Sequence, residues 1–206
     1  DFQTEWWYYT GHLRAEDGRT FGFQLTFFRR AATPEAVARN PSRWAIRHLY
    51  FAHFALTDEK GRRFHFTEKI SRAGIGKAGA EAGHLGVWID EWRVQADGDA
   101  HVLQTHAEGT ALRLRLTPEK PPVIHGAGGI SRKGTDPGES SHYYSFTRMR
   151  TDGTLLLDGA SLPVTGVSWM DHEFGSNQLG SEQVGWAWFS LQLADSTELM
   201  IYQIRR

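Results

Sequence analysis

The sequence predicts an all-β protein built from antiparallel strands. Short runs in which apolar and polar residues alternate are bounded by glycine and aspartate, a pattern typical of strands joined by tight turns. In the segment LRLRL at 112–116, leucines alternate with arginines, so one face of that strand is apolar and the other is charged. About 40% of the 206 residues are hydrophobic, which is enough to bury a sizeable core.

Three hairpins are expected in the first half of the chain, because paired strand-like runs are separated there by sequences suited to tight turns. Residues 4–14 and 20–30 are joined by EDGR, residues 45–57 and 62–70 by DEKG, and residues 85–95 and 101–108 by DGD.

Two irregular segments interrupt these strands. Residues 31–43 are predicted to form a short helix, because Thr33 can cap it, Pro34 suits its first position and Pro41 stops it. Residues 71–83 are rich in glycine and alanine. Long segments between strands often act as lids over binding sites, so both are lid candidates, and a surface loop is an equal alternative for the second.

A stretch rich in proline and glycine at 118–138 precedes a second set of strands, predicted at 142–150, 164–174, 184–194 and 198–205, with a turn at 151–154. We therefore expect a first β-barrel domain at 1–135 and the beginning of a second barrel at 136–206. A closed barrel needs about eight strands. Because the second set has fewer, we expect the natural protein to continue past Arg206.

The composition and charge of the chain argue against several classes of function. The net charge of −1 and the lack of a lysine and arginine block argue against a nucleic-acid partner. The sequence contains no apolar run of the roughly 18–20 residues that span a membrane, so an integral membrane protein is not expected. The chain has no cysteine for disulfides or thiol catalysis. Among its ten histidines, His48 and His53, like His101 and His106, have odd separations that point opposite ways in a strand, so we expect neither a metal nor another cofactor.

Three consecutive titratable residues, Asp171, His172 and Glu173, form the strongest candidate for a functional site. Alternate side chains of a strand face opposite ways, so the two carboxylates share one face, and His172 shares the other with Phe174. Burying an ion costs several kcal/mol unless the ion is paired. The triplet therefore faces water, is neutralised by partners or serves a site.

Aromatic residues near the amino terminus indicate a second candidate. The run TEWWYYTGH at 4–12 places rings on both faces of one strand. A core accounts for the rings, but Glu5 and His12 need partners if they point inward, and a ligand pocket requires an aromatic cavity with a few polar groups. His53 lies in the apolar run YFAHFAL at 50–56, which is compatible with a hydrogen-bonded core histidine or a site residue.

Four motifs taken together resemble the AttH-like, lipocalin-like proteins related to carotenoid 1,2-hydratases: TEWWYYTGHL at 4–13, FQLTFFR at 23–29, FAHFAL at 51–56 and WMDHEFG at 169–175. The resemblance covers most of the chain. It implies two consecutive calycin-type antiparallel β-barrels in proteins that are often exported and loosely labelled secreted hydrolases. It therefore implies a periplasmic or extracellular location.

The resemblance also implies site residues. The hydratases carry a His-x-Trp pair and a later Tyr-x-Asp pair, which correspond here to His172 with Phe174 and to Tyr202 with Ile204. The missing aspartate argues against carotenoid hydration itself, because protonating an alkene needs a strong acid. The expected catalytic residues are His172 first, then Asp171, Glu173 and Tyr202. The expected ligand-binding residues, in a crevice between the barrels, are Glu5, Trp7, Tyr9, His53, Tyr144, Phe174 and Trp186.

Three functions stay open at this point. The first is an enzyme, a hydro-lyase or hydrolase, that binds a hydrophobic small molecule such as a lipid or isoprenoid and performs hydration, hydrolysis or isomerisation by acid/base chemistry. The second is a carrier that binds the same kind of ligand without catalysis. The third is a structural role in which the polar triplet is paired internally. The sequence does not predict the oligomeric state.

Overall fold

A computed structural model describes residues 2–40, 42, 45–134, 136, 138–176 and 182–206 of the chain. Within these residues lie fifteen strands and one short helix. The strands are β1 Thr4–Ala15, β2 Thr20–Ala31, β3 His48–Asp58, β4 Arg63–Arg72, β5 Ala78–Ala80, β6 Gly86–Ile89, β7 Trp92–Asp97, β8 Ala100–Ala107, β9 Thr110–Pro118, β10 Val123–Ile124, β11 Ile130–Arg132, β12 Ser140–Leu157, β13 Ala160–Gly175, β14 Gly185–Gln192 and β15 Glu198–Arg205, and the helix α1 is Pro34–Arg39.

Most of the strands form one antiparallel sheet, in the order β4-β3-β2-β1-β13-β12-β9-β8-β7-β6-β5. The short strands β10 and β11 pair with β12 beside this path. Strands β3 and β4 at one edge also contact β6 near the other edge. The sheet is therefore a nearly closed barrel, and the prediction of an all-β antiparallel fold is confirmed.

The first two predicted hairpins are present as β1–β2 and β3–β4. The third differs, because the predicted strand at 85–95 is divided into β6 and β7 by a turn at Asp90, whose φ is 52°. The predicted helix forms as α1, where Thr33 Oγ1 accepts a hydrogen bond from the backbone N–H of Ala36 at 3.3 Å. Pro41, expected to stop this helix, lies outside the described residues, and the helix ends at Arg39.

The second predicted set of strands is divided between two sheets. Strands β12 and β13, expected in a second domain, belong to the large sheet, where β13 lies between β1 and β12. The assignment of these two strands to a second domain is corrected, because β13 pairs with β1 along twelve residues and so completes the first barrel. Strands β14 and β15 form a separate two-stranded sheet. That they begin a second barrel stays a prediction.

The turn predicted at 151–154 is wrong, because β12 runs through it without a break. A Cβ atom on Gly153 would lie only 2.1 Å from the backbone oxygen of Arg113 in β9. Glycine is therefore needed there for close strand approach and not for a turn. The turn that ends β12 comes at Asp158 and Gly159, both with positive φ.

Apolar side chains fill the barrel interior, and the largest fully buried ones include Tyr9, Phe21, Phe23, Phe27, Phe54 and Trp92. The β14–β15 hairpin packs on the outside, where the Trp188 ring meets Tyr8 and Trp169 edge to face. Side chains occupy the interior, and an open space lies between the barrel wall and this hairpin. No helix among the described residues is long and apolar enough to cross a membrane.

Candidate functional site

Strand β13 carries two separate groups of polar side chains on its two faces, as the alternation of a strand requires. Met170 belongs to the hydrophobic core of the barrel, so His172 and Phe174, which alternate with it, point inward. Asp171 and Glu173 point outward, yet they are only 4% and 5% exposed, because the β14–β15 hairpin covers them. The side chains of the triplet thus lie in two different environments, His172 in the barrel interior and the two carboxyls under the hairpin.

The inward group is a hydrogen-bonded cluster around His172. Its Nε2 lies 2.8 Å from Oε1 of Glu5, and its Nδ1 lies 2.9 Å from the hydroxyl oxygen of Tyr144. The other oxygen of Glu5 pairs with the Arg29 guanidinium at 2.7 Å. The Trp7 ring stacks on the imidazole, with centroids 5.1 Å apart. Both ring nitrogens of His172 are therefore engaged inside the barrel wall.

Tyr9 lies deeper in the interior. Its hydroxyl is 2.9 Å from Nδ1 of His101, whose ring packs edge to face on Phe146. Burial lowers the pKa of His101 from 6.5 to about 4 and raises the pKa of Tyr9. Both groups are therefore neutral near pH 7, and the pair belongs to the core.

The outer cleft is a space of about 720 Å³ between the barrel and the hairpin. Its walls are mostly aromatic, with polar groups along one side. The residues that line it are Gln3, Thr4, Trp6, Tyr8, Thr26, Phe28, Arg30, Phe51, Tyr143, Asp171, Glu173, Ser176, Trp186 and Trp188. A smaller adjoining cavity shares several of these walls and adds Lys133, Tyr202 and Ile204.

Asp171 is the buried acid of this cleft. Its Oδ1 accepts hydrogen bonds from the hydroxyl of Ser145 at 2.5 Å and from the indole N–H of Trp169 at 2.7 Å. Burial raises its pKa from 3.8 to about 6, while hydrogen bonds, including one from Tyr143, oppose the shift and the charge of Glu173 adds to it. The carboxyl group therefore gains and loses its proton close to neutral pH.

Glu173 is held differently, because it has a cationic partner. Its Oε1 accepts a hydrogen bond from the hydroxyl of Ser141 at 2.5 Å and lies 2.9 Å from the ammonium nitrogen of Lys133. That ammonium group also lies over the rings of Tyr143 and Tyr202, at 4.8 and 4.6 Å from their centroids. The two neighbouring carboxyls thus differ in charge environment, one with neutral donors and one in an ion pair.

The residues expected in one crevice are distributed over three places. Asp171, Glu173 and Trp186 line the outer cleft, and Tyr202 lines the adjoining cavity. Glu5, Trp7, Tyr144, His172 and Phe174 lie together in the interior cluster, with Tyr9 deeper in the core. His53 lies on the outer face beside Phe28, which lines the cleft, and is 3.8 Å from Glu68.

Sequence reasoning did not single out the hydroxyls that hold the carboxyls, Ser141 and Ser145, or the cation Lys133. The alternation in the segment SSHYYSF at 140–146 is a usable signal, because it puts both serines on one face with Tyr143. Within the described residues, no group of three or more histidine, aspartate and glutamate side chains is arranged to hold a metal ion.

The nearly closed antiparallel barrel is a lipocalin-like fold. A model of the AttH-like family matches residues 1–206. The chain therefore belongs to the AttH-like family, as its four sequence motifs indicate.

Two solved structures are similar to the chain. An AttH protein of Nitrosomonas europaea is 38% identical with a TM-score of 0.89, and the match covers 100% of this chain and 61% of that one. Kievitone hydratase of Nectria haematococca is 12% identical with a TM-score of 0.70, over 97% of this chain and 60% of that one, which shows a shared fold alone. The chain thus spans about three-fifths of the length of both. No curated protein matches its sequence.

Proposed function

We propose that the outer cleft binds a hydrophobic small molecule and that Asp171 acts on it as a general acid. The observation that carries this proposal is the Asp171 carboxyl, which is buried in an aromatic wall with its pKa raised to about 6. A general acid works best when its pKa lies near the working pH. An ordinary aspartate, with a pKa near 3.8, holds too few protons at neutral pH for this task.

The cleft favours a ligand with an apolar body and a small polar part. Its volume of about 720 Å³ falls in the range of small-molecule sites, and aromatic walls with few polar groups are typical of them. A lipid or an isoprenoid-like molecule has this character. The polar part would lie beside Asp171 and Glu173.

The proposed chemistry is acid/base catalysis of hydration, hydrolysis or isomerisation. The ion pair of Glu173 with Lys133 orients a polar ligand group, and the surrounding rings stabilise positive charge that develops on the ligand. His172, bonded on both nitrogens, fixes β13 from the other side.

A carrier without catalysis is the second candidate. It is favoured by the position of His172, the residue expected to lead the chemistry, because its imidazole faces the barrel interior and not the cleft. On this alternative the cleft binds the same ligands, and the raised pKa of Asp171 only reflects its burial. The expected periplasmic or extracellular location stays a prediction under either function.

Displacement of a fluorescent fatty acid, together with native mass spectrometry for retained ligand, tests whether the cleft binds hydrophobic molecules. A protein that retains nothing and binds nothing would overturn both candidates. Once a ligand is identified, Asp171→Asn separates them. The enzyme is supported if the variant binds the ligand with unchanged affinity and loses turnover, and the carrier is supported if no turnover is detected in either protein.

A further inference from the structure

A histidine that the sequence did not single out lies behind Asp171. His125 follows β10, and its Nε2 is 2.7 Å from Oγ of Ser145, whose hydroxyl donates to Oδ1 of Asp171. Serine has a single hydroxyl proton, so Nε2–H of His125 is the donor in the first of these bonds. The three side chains form one directed hydrogen-bonded chain that ends at the acid of the cleft.

The two ends of this chain lie in different surroundings. Asp171 is 4% exposed and borders the outer cleft, so a bound ligand would cover it further. His125 is only partly buried, with its ring against Tyr143 at 4.2 Å between centroids, and it follows the exposed residue Ile124. The hydrogen-bonded chain therefore runs from the covered acid to a side chain that is partly exposed to solvent.

We propose that His125 and Ser145 form the proton route by which Asp171 regains its acid proton from solvent while the cleft is occupied. This proposal rests on the proposed acid role of Asp171. His125 and Ser145 are positioning residues that do not touch the ligand. Each accepts a proton from one neighbour and donates a proton to the next.

The proton transfer balances along the chain. A solvent proton first adds to Nδ1 of His125 and gives the imidazolium. Asp171, left as a carboxylate after it has protonated the ligand, takes the hydroxyl proton of Ser145, while Ser145 takes the Nε2 proton of the imidazolium. Ser145 ends with one hydroxyl proton as before, His125 ends as the neutral tautomer with its proton on Nδ1, and Asp171 ends protonated on Oδ1.

The surroundings of His125 and Asp171 favour proton transfer from the imidazolium to the carboxylate. Burial, followed by the charge of Lys133, lowers the pKa of His125 from 6.5, and burial raises that of Asp171 to about 6. Both shifts favour the transfer, because a lowered pKa makes the His125 imidazolium a stronger acid and a raised pKa makes the Asp171 carboxylate a stronger base. The other titratable groups that face Asp171 are Glu173 on the same strand, Tyr143 on β12 and Tyr8 on β1.

Nuclear magnetic resonance of the ligand-free protein tests this route. With ¹³C in the aspartate carboxyls and ¹⁵N in the histidine rings, Asp171 and His125 should titrate with two shared inflections, which is the behaviour of coupled sites. Ser145→Ala should abolish the shared inflections and raise the pKa of Asp171, because the carboxylate loses a donor. Ser145→Thr keeps a hydroxyl and should restore the coupling, which a merely structural role would not require.

Ser141→Ala is the matched control, since it removes the same kind of bond from the neighbouring Glu173, and it should leave the shared inflections in place. A His125 titration that is identical in the wild type, Ser145→Ala and Asp171→Asn would overturn the proton route. Displacement of the fluorescent fatty acid is measured on the same samples. Normal binding without coupling overturns the route alone, whereas coupling without binding overturns the proposed function.

Discussion

The Trp6 ring of β1 stacks on the Trp186 ring of β14, with centroids 6.0 Å apart and planes inclined by 18°. This contact joins the barrel wall to the hairpin, and both rings line the outer cleft. Aromatic pairs of this kind contribute about 0.5–1.5 kcal/mol beyond the area that they bury. The same two rings therefore hold the hairpin in place and form a wall of the proposed binding site.

Trp186→Ala is expected to weaken binding of a fluorescent fatty acid by roughly tenfold, equal to about 1.4 kcal/mol, because it removes part of this wall. Fluorescence titration measures the change. Phe189→Ala is the control, since Phe189 lies on the same hairpin, is 57% exposed and does not line the cleft. An equal loss of affinity in both variants would contradict a ligand site in the cleft.

Asp171→Asn is expected to stabilise the protein above pH 6. The pKa of Asp171 rises from 3.8 to about 6 on folding, so the folded state binds more protons than the unfolded state between these values. The free energy of unfolding therefore falls as pH rises through this window, by up to about 3 kcal/mol.

The asparagine variant does not ionise, so it should be more stable than the wild type at pH 7 and equal to it near pH 4. Urea unfolding at a series of pH values measures the difference. A constant difference between pH 4 and pH 7 would show that Asp171 titrates normally in the folded protein.

Glu5→Gln should destabilise the barrel by roughly 3 kcal/mol, because it leaves the half-buried Arg29 guanidinium without its charged partner. Chemical denaturation measures the loss. Glu68→Gln is the matched control at a second histidine–glutamate pair, where the carboxylate is 69% exposed and lies 3.8 Å from His53. It should change stability by less than about 0.5 kcal/mol, and comparable losses in the two variants would contradict the importance of the interior cluster.

Gly166→Ala should separate β1 from β13, because the added Cβ atom would lie 1.9 Å from the backbone oxygen of His12. The expected cost is roughly 2 kcal/mol of unfolding free energy, measured by thermal or urea denaturation. At Gly22, also in a strand, a Cβ atom would meet its nearest neighbour, Thr57, at 3.7 Å. Gly22→Ala should therefore cost clearly less, and a reversed order would show that the strand register is not as described.

Strand alternation predicted that Asp171 and Glu173 share one face, and the structure agrees. It could not predict which face points into the barrel, because both faces of 169–175 carry apolar and polar side chains. That choice depends on pairing with β1 and β12, and the pairing of β1 with β13 joins residues 149 to 171 positions apart. The sequence of β13 alone therefore could not predict whether the His172 side chain points into the barrel or out of it.

The basic residues near the two cleft carboxyls were missed for a different reason. His125 and Lys133 come from the stretch rich in proline and glycine at 118–138, which the sequence suggests separates the two sets of strands. In the structure this stretch contributes β10 and β11, which have two and three residues. Strands this short show no periodicity, so only their pairing with β12 reveals that they form part of the site.

The two faces of β13 have different roles, because its outward side chains border the cleft and its inward side chains pack the barrel. Exchanging the outward side chains at 169, 171 and 173 would retune the chemistry of the cleft while the inward packing at 170, 172 and 174 stays intact. A deletion of one residue in this segment would do the opposite, because a shift of one position turns every side chain to the other face. It would carry the imidazole into the cleft and both carboxyls into the apolar interior, so new specificities in this scaffold can arise by substitution but not by a change of length here.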